Sequence, residues 1–454
     1  MSDAKRVRVT ATKHAGRAAL ATAVVIAVAG LVMVPATAQS NETPKATDIG
    51  VTAKEIHVAT MADVDNPFAP ALFQGARYGA QGAADYINSK AGGGGINGRK
   101  LVVDFIDSKL NANDARNGVI TACQNDFAMV GTAVLFLTSA IDLTGCTDKK
   151  GAKSGLPDMP SFTAGVVESC APTVFGVNPP QVHCNTATQS PQEYTSSTQG
   201  APYFVKKFGK NKLHGLMVFG NDTKDAARGS RALLDSFLSA GIKADQYVGV
   251  SAAAPQSAYT AFVNKMKADN SNVVNIIGGD PALLRSEMQL QGVDLNSVVY
   301  QCGCYSASDK YTSNSALDGV YIWSYTLPFE EASTNPMMQN FLKYVPKDKR
   351  DSYAVFAWGA VLAFAQAAKA TMAKQGVNGL TRANFLHDGV TTLTKFDADG
   401  MMGATNIVDK VPTDCSMLLR LKNKKYVRVF PSKKGTFDCK PSNLATIKAD
   451  YVGH

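Results

Sequence analysis

The sequence predicts an α/β fold with two doubly wound parallel-sheet lobes. Strand-sized apolar runs alternate with helix-spaced ones, the signature of a parallel sheet covered on both faces. That rhythm runs twice, on either side of a polar stretch, which gives two lobes rather than one. Length and composition agree: 454 residues suit two or three domains, and 45% hydrophobic with 18% charged residues describes a globular chain.

The first series opens with the run EIHVATM (Glu55–Met61). Phe73, Ala76, Ala80, Ala84 and Ile87 then recur at helical spacing. LVVDFI (Leu101–Ile106) reads as a strand, 113–124 as a helix and Phe127–Val130 as a buried strand. Residues 176–201, rich in Pro, Gln, Ser and Thr, read as a crossover or surface loop. The second series has strands at Lys212–Phe219, Gln246–Val250, Val273–Ile277 and Ser297–Gln301. Its helices fall at Ala226–Ala240, 257–269 and 281–291. Residues 352–374 form the longest helix candidate, apolar on several sides and so expected to be buried. Met417–Leu421 and Tyr426–Phe430 read as strands around a turn at Lys422–Lys425.

The N-terminal residues read as an export signal. Residues 1–17 are basic, 18–34 are uncharged and apolar, and Pro35-Ala36-Thr37-Ala38 ends in small residues suited to cleavage after Ala38. An uncleaved anchor is the alternative, since the apolar run is just short of a comfortable span of about 20 residues. Residues 39–53 read as a disordered lead-in. The formal charge is +9, of which the first 38 residues carry +4. The remaining surplus, without a dense basic run interleaved with aromatics, gives no argument for nucleic acid.

Export makes the eight cysteines disulfide candidates. Cys123–Cys146, Cys170–Cys184 and Cys415–Cys439 would each close a short loop. Cys302-Gly303-Cys304 stays open between a strained bridge, two free thiols and partners elsewhere. The cysteines lack a C-x-x-C pair and a nearby His, which argues against a metal.

Catalytic motifs are weak. Gly93-x-Gly95-x-x-Gly98 has the letters of a dinucleotide fingerprint, but a helix precedes it and a strand follows, the reverse of what phosphate binding at a helix N-terminus needs. It reads as a flexible turn. There is no G-x-S-x-G, and none of the six histidines has triad or metal spacing. Glu330-Glu331 reads as a solvated loop.

The residues that follow the strands are more informative. Asp63-Val64-Asp65-Asn66-Pro67-Phe68, Gly131-Thr132-Ala133 with Thr138 and Ser139, Gly220-Asn221-Asp222-Thr223, Gly278-Gly279-Asp280 and Cys302-Gly303-Cys304-Tyr305-Ser306 each follow one. Open parallel sheets bind ligands beyond the C-terminal ends of their strands. Such residues also simply make good loops.

Residues Gln74–Arg77, Asp85–Asn88 and above all Gly94-Gly95-Ile96-Asn97-Gly98-Arg99-Lys100-Leu101 resemble the opening of the branched-chain amino-acid binding proteins. These are type I periplasmic solute-binding components of ABC importers. The Asp-rich turn at Asp107-Ser108 and Asn111–Asp114 fits the same pattern, and the likeness covers most of 54–440. It implies a clamp whose lobes are joined by three chain crossings. Lobe 1 would comprise 54–180 and 322–404, and lobe 2 198–320 and 405–454. Matched to the family pattern, Phe68 would form an aromatic wall, Thr138, Ser139 and Thr163 would supply hydroxyls, and Asp225 and Asp280 would come from the second lobe. Tyr305 joins the candidate set from the loop after the SVVYQ strand.

Three features depart from the family. The loop after SVVYQ has no carboxylate to hold an ammonium group, the Tyr of the helix-start loop has no counterpart near Asp225, and the early disulfide is absent. The apolar Val134-Leu135-Phe136-Leu137 suits a less polar solute. The expected function is capture of a small molecule, not a plain branched-chain amino acid, for import through an ABC permease. No cofactor, metal or nucleic acid is expected, oligomeric state is left open, and the location is periplasmic or cell-surface. A ligand sensor and an exported enzyme of the same architecture are the alternatives.

Overall fold

A computed structural model describes residues 42–163, 169–178, 181–184 and 191–448. The expected signal segment 1–38 lies outside the described residues, as do the side chains of Gln181, His183, Cys184, Pro191, Gln192 and Asp225.

The first sheet contains β1 (Glu55–Ala62), β2 (Lys100–Asp107), β3 (Ala128–Val130), β4 (Ala133–Val134), β5 (Asp158–Met159) and β6 (Phe162–Thr163). Its order is β5-β3-β1-β4-β6, with β2 paired to β1, and every pairing is parallel. Helix α1 (Gln74–Asn88) covers one face and α2 (Ala112–Asn125) the other. Small residues on α1 permit close packing of a later helix. A Cβ on Gly79 would lie 2.1 Å from the Ala354 carbonyl, and one on Gly75 2.0 Å from the Asp351 carboxylate.

The glycine-rich stretch is the turn from α1 to β2. Gly93, Gly94, Gly95 and Gly98 all have positive φ, and a Cβ on Gly95 would meet the Arg99 carbonyl at 2.3 Å. The fully buried Arg99 donates to the carbonyls of Thr52 (2.9 Å), Lys45 (3.0 Å) and Val377 (3.1 Å). The stretch is therefore a structural clasp, in keeping with its reading as a turn.

The chain then forms a three-stranded sheet that hydrophobic patterning missed. β7 (Gln181–Cys184) and β8 (Pro191–Ser197) pair antiparallel, and β17 (Leu444–Lys448) adds to β8. Residues 176–201 are thus not simply a surface loop. Several of their buried groups are polar and bond to other parts of the fold. Thr195 Oγ1 lies 2.8 Å from Thr446 Oγ1, and Ser196 Oγ 3.0 Å from Ser236 Oγ. Gln199 Oε1 accepts from Asn275 (2.9 Å) and Gln301 (3.0 Å). Satisfied polar groups tolerate burial without an apolar pattern.

The second sheet contains β9 (His214–Gly220), β10 (Lys243–Val250), β11 (Val273–Ile277), β12 (Val299–Cys302), β13 (Tyr321–Ser324), β14 (Cys415–Lys422), β15 (Lys425–Phe430) and β16 (Asp438–Cys439). Its order is β10-β9-β11-β12-β13-β14-β15, with β16 on β14. Pairings through β13 are parallel, and those of β14 are antiparallel. Asn423 and Lys424 both have positive φ in the β14–β15 turn, the two-residue geometry that matches strand twist. Helices α3 (Lys224–Leu238), α4 (Thr260–Ala268) and α5 (Pro281–Leu290) link the parallel strands.

After β13 the chain returns to the first sheet as α6 (Pro336–Tyr344) and α7 (Ser352–Gln375). α7 is apolar enough for a membrane span, yet 78% of its most apolar window is buried, with Trp358 and Phe364 in the first core. The chain then crosses back to β14. It passes between the sheets three times: after β6, after β13 and before β14. Trp323 packs against the cores of both sheets, and so do Phe329 and Phe437.

The expected disulfides Cys123–Cys146 and Cys415–Cys439 are formed, and Cys302 pairs with Cys304. Cys170 is disulfide-bonded, while the Cys184 side chain lies outside the described residues.

Candidate functional site

β1, β4 and β6 are neighbours; the loops after β1 and β4 carry Phe68, Thr138 and Ser139, and Thr163 is the last residue of β6. Asp63, immediately after β1, stitches these loops together. Its fully buried carboxylate accepts from Ser108 Oγ (2.6 Å), Leu110 N (3.0 Å) and Leu135 N (2.8 Å). Burial pushes this carboxyl up, and those three bonds oppose the rise. Asp107 accepts from the amides of Val64 (3.1 Å) and Asp65 (2.9 Å), fixing the start of the next loop. Asn66 Oδ1 accepts from Phe68 N (3.1 Å) and Ala69 N (2.7 Å). This turn displays Phe68 with 70% of its surface exposed.

Thr138 and Ser139 are exposed, and Ser139 Oγ accepts from Ile141 N (3.2 Å). The Thr163 hydroxyl is buried with no hydrogen-bond partner among the described residues. Next to it, Phe162 packs against Phe73 (5.2 Å) and Tyr353 (5.7 Å), which lie 4.7 Å from each other. Phe162, Phe73 and Tyr353 thus form an aromatic layer built by β6, the start of α1 and the start of α7.

β9, β11 and β12 are likewise neighbours, and Asp225, Asp280 and Tyr305 follow them. Asp225 lies in the first turn of α3, with its side chain outside the described residues. Asp280 caps α5, with Oδ1 accepting from Ala282 N (2.7 Å) and Leu283 N (3.2 Å). Its amide donates to the Tyr259 hydroxyl (2.9 Å). Gly278 must be glycine here, because a Cβ would lie 2.2 Å from Gly220 N. Tyr305 is buried, donating to Glu330 Oε2 (2.8 Å) and accepting from Phe329 N (2.5 Å). Its ring packs on Phe329 (4.9 Å) and Tyr426 (4.7 Å). Tyr305 thus braces the chain crossing.

Tyr311 lies between β12 and β13, packed against the core of the second sheet. Burial and the carboxylates of Asp280 and Asp351 push its phenol up. Asp351 caps α7 by accepting from Ala354 N (2.8 Å), and burial pushes its carboxyl up to about 6 against the pull of Lys310. Tyr353 is raised by burial, with Asp351 and Tyr311 adding to it. Backbone contact seals the junction: Ala307 N donates to the Arg350 carbonyl (2.9 Å). The loop after β12 thus meets the start of α7 through Ser306 and Ala307, and Tyr353 of α7 leads to Phe162 of the first sheet. Sequence reading missed Tyr311, Tyr353, Phe73 and Phe162. Their signal, aromatic residues beside strand ends and helix starts, is visible only once the loops are assembled.

The arrangement is one for binding: aromatic walls, an unpaired hydroxyl and carboxylates tied to helix starts. Comparison with known proteins agrees. The model of the family described as periplasmic binding protein matches residues 55–425, and the chain belongs to that family. This is a family of extracytoplasmic solute-binding proteins rather than enzymes.

Among solved structures the fold is similar to an ABC transporter substrate-binding protein of Aeropyrum pernix (15% identity, TM-score 0.60, covering 86% of this chain and 97% of that one). It is also similar to a fatty acid ABC transporter substrate-binding protein of Thermomonospora curvata (18%, 0.62, 86% and 97%). A third is a solute-binding protein of R. palustris in complex with benzoate (14%, 0.59, 86% and 98%). At these identities the likeness is one of fold. No curated protein matches the sequence.

Proposed function

We propose that this chain is the extracytoplasmic receptor of an ABC importer and grips a largely apolar small solute between two lobes. Lobe 1 comprises 54–180 and 322–404, and lobe 2 comprises 198–320 and 405–454. The observation that carries the reading is the junction of the loop after β12 with the start of α7, where Ala307 N donates to the Arg350 carbonyl and Tyr353 packs on Phe162 of the first sheet. Phe68, Thr138, Ser139 and Thr163 contact the solute from one lobe, and Asp225 and Asp280 from the other. Tyr305 shapes the site by holding the loop after β12.

The apolar Leu135 and Phe136 and the exposed Phe68 favour an acyl or aromatic solute over leucine. The fatty-acid and benzoate proteins of the same fold support that direction. No covalent step or cofactor is needed, and contacts with both lobes stabilise the closed form. The bound solute is then handed to a membrane permease. The mature chain is released by cleavage after Ala38 and works in the periplasm or at the cell surface.

Mass spectrometry of the small molecules that co-purify with the protein tests this reading. An acyl or aromatic compound at about one equivalent supports it, and leucine at that ratio contradicts the solute class.

A further inference from the structure

A second constellation lies at the other end of the first sheet. His57 is the third residue of β1, and Asp104 lies on the adjacent strand β2, in register with Ala59. Side chains two apart on a strand share a face, so His57 and Asp104 are on the face covered by α2. Asp126 directly follows α2. A nitrogen of His57 and one oxygen from each aspartate all lie within 4.8 Å of one another. They line a cavity of about 570 Å³, open to solvent, together with Thr52, Phe105 and Thr121.

The hydrogen bonds within the cluster do not supply a donor to every buried oxygen. Asp126 is only 2% exposed, and its Oδ1 is buried with no hydrogen-bond donor among the described residues. Arg382 lies close but donates to the Asp126 backbone carbonyl (2.5 Å), leaving that carboxylate oxygen unpaired. His57 Nδ1 is 2.8 Å from Asp104 Oδ2, and Nε2 is 3.3 Å from Glu55 Oε2. A carboxylate on the far ring nitrogen is the usual way to fix a metal-binding imidazole. Nε2 faces Glu55 and Nδ1 faces Asp104, so a cation taking the place of the Nδ1 proton would be ligated by the ring and that carboxylate together. One imidazole with two carboxylates suits a first-row divalent cation, and the cavity leaves room for water to complete the shell.

We propose that His57, Asp104 and Asp126 hold a zinc-like divalent cation, with Glu55 orienting His57. At about 3.3 Å per strand residue, His57 is roughly 20 Å from Asp63. The site is therefore separate from the solute-binding loops and independent of the solute's identity.

The test is titration of the chelator-treated full chain with Zn²⁺ against a chromophoric competitor, with Co²⁺ absorption reporting coordination. One tight equivalent is expected, with affinity reduced at least about tenfold in His57→Gln and in Asp126→Asn. The His57 side chain is 31% exposed, so His57→Gln keeps the test sound even if Asp126→Asn fails to fold. Zn²⁺ should also raise the melting temperature of the wild type and not that of His57→Gln. Absence of a stoichiometric site, binding unchanged by His57→Gln, or selective binding of Ca²⁺ in place of Zn²⁺ would overturn the proposal.

Discussion

Arg428 and Glu331 form a buried two-pronged ion pair, with guanidinium nitrogens 2.6 Å from each carboxylate oxygen. Their side chains are 4% and 3% exposed. Arg428 belongs to β15 in the second sheet. Glu331 belongs to the turn 329–334, whose Phe329 stacks on Phe341 of the first core at 5.6 Å. The pair thus ties the second sheet to the chain crossing, and Gly435 N adds a third bond to Glu331 Oε2 (2.8 Å). Glu331 is therefore not the solvated loop residue its sequence context suggests.

Removing one partner leaves a buried charge uncompensated. Glu331→Gln and Arg428→Met are each expected to destabilise the protein by about 3–5 kcal/mol. Denaturant unfolding measures this. Unchanged midpoints in both variants would show that the pair does not brace the crossing.

Thr163→Val tests the unpaired hydroxyl. The swap removes a buried polar group without a partner, so solute-free stability should hold or rise slightly. Solute affinity should fall by about 1–2 kcal/mol, because the hydroxyl's bond is made only in the complex. Paired unfolding and calorimetry distinguish this from a purely structural threonine, for which affinity would not change.

Asp280 has two separable roles. Asp280→Ala loses the cap of α5 and should cost about 1 kcal/mol of stability. Asp280→Asn keeps a capping oxygen and should cost less. Both should weaken solute binding if the carboxylate faces the ligand. Loss of affinity in Asp280→Ala alone would assign the residue to capping only.

Tyr305→Phe removes a hydroxyl that donates to Glu330 and accepts from Phe329 N. The buried tyrosine hydroxyl's two bonds, to Glu330 and to the half-buried Phe329 amide, are lost, so stability should fall by about 1–2 kcal/mol. The effect on binding should be smaller than that of Thr163→Val. A larger effect would make Tyr305 a direct contact.

Asp158 gives a pH signature. It is fully buried, Oδ1 accepts from Thr132 Oγ1 (2.8 Å) and Oδ2 has no partner. Burial raises its carboxyl to about 7 from an ordinary 3.8. The folded chain therefore holds an extra proton between those values, and stability falls as pH rises through that window. Asp158→Asn should flatten the decline relative to wild type. Parallel profiles of melting temperature against pH would contradict the assignment.

The α/β rhythm was legible because the central strands are apolar runs and the covering helices are periodic. Glu55–Ala62 and Val273–Ile277 fall close to where periodicity put them. The β7–β8 hairpin was not legible, because its buried Thr195 and Ser196 are stabilised by polar partners hundreds or tens of residues away. The candidate site divides the same way. Loops at strand ends follow from the fold, which singled out Thr163 and Asp280. Phe162 meeting Phe73 and Tyr353 depends on chain crossings that no local pattern encodes. Cys302 and Cys304 likewise show a pairing that spacing alone left open.

The most direct measurement is calorimetric titration of the full chain with leucine, benzoate and octanoate, repeated with Thr163→Val. Saturable one-site binding of an acyl or aromatic acid, weakened by that substitution, is the expected result. Tight leucine binding, or acid binding indifferent to Thr163, would contradict the account.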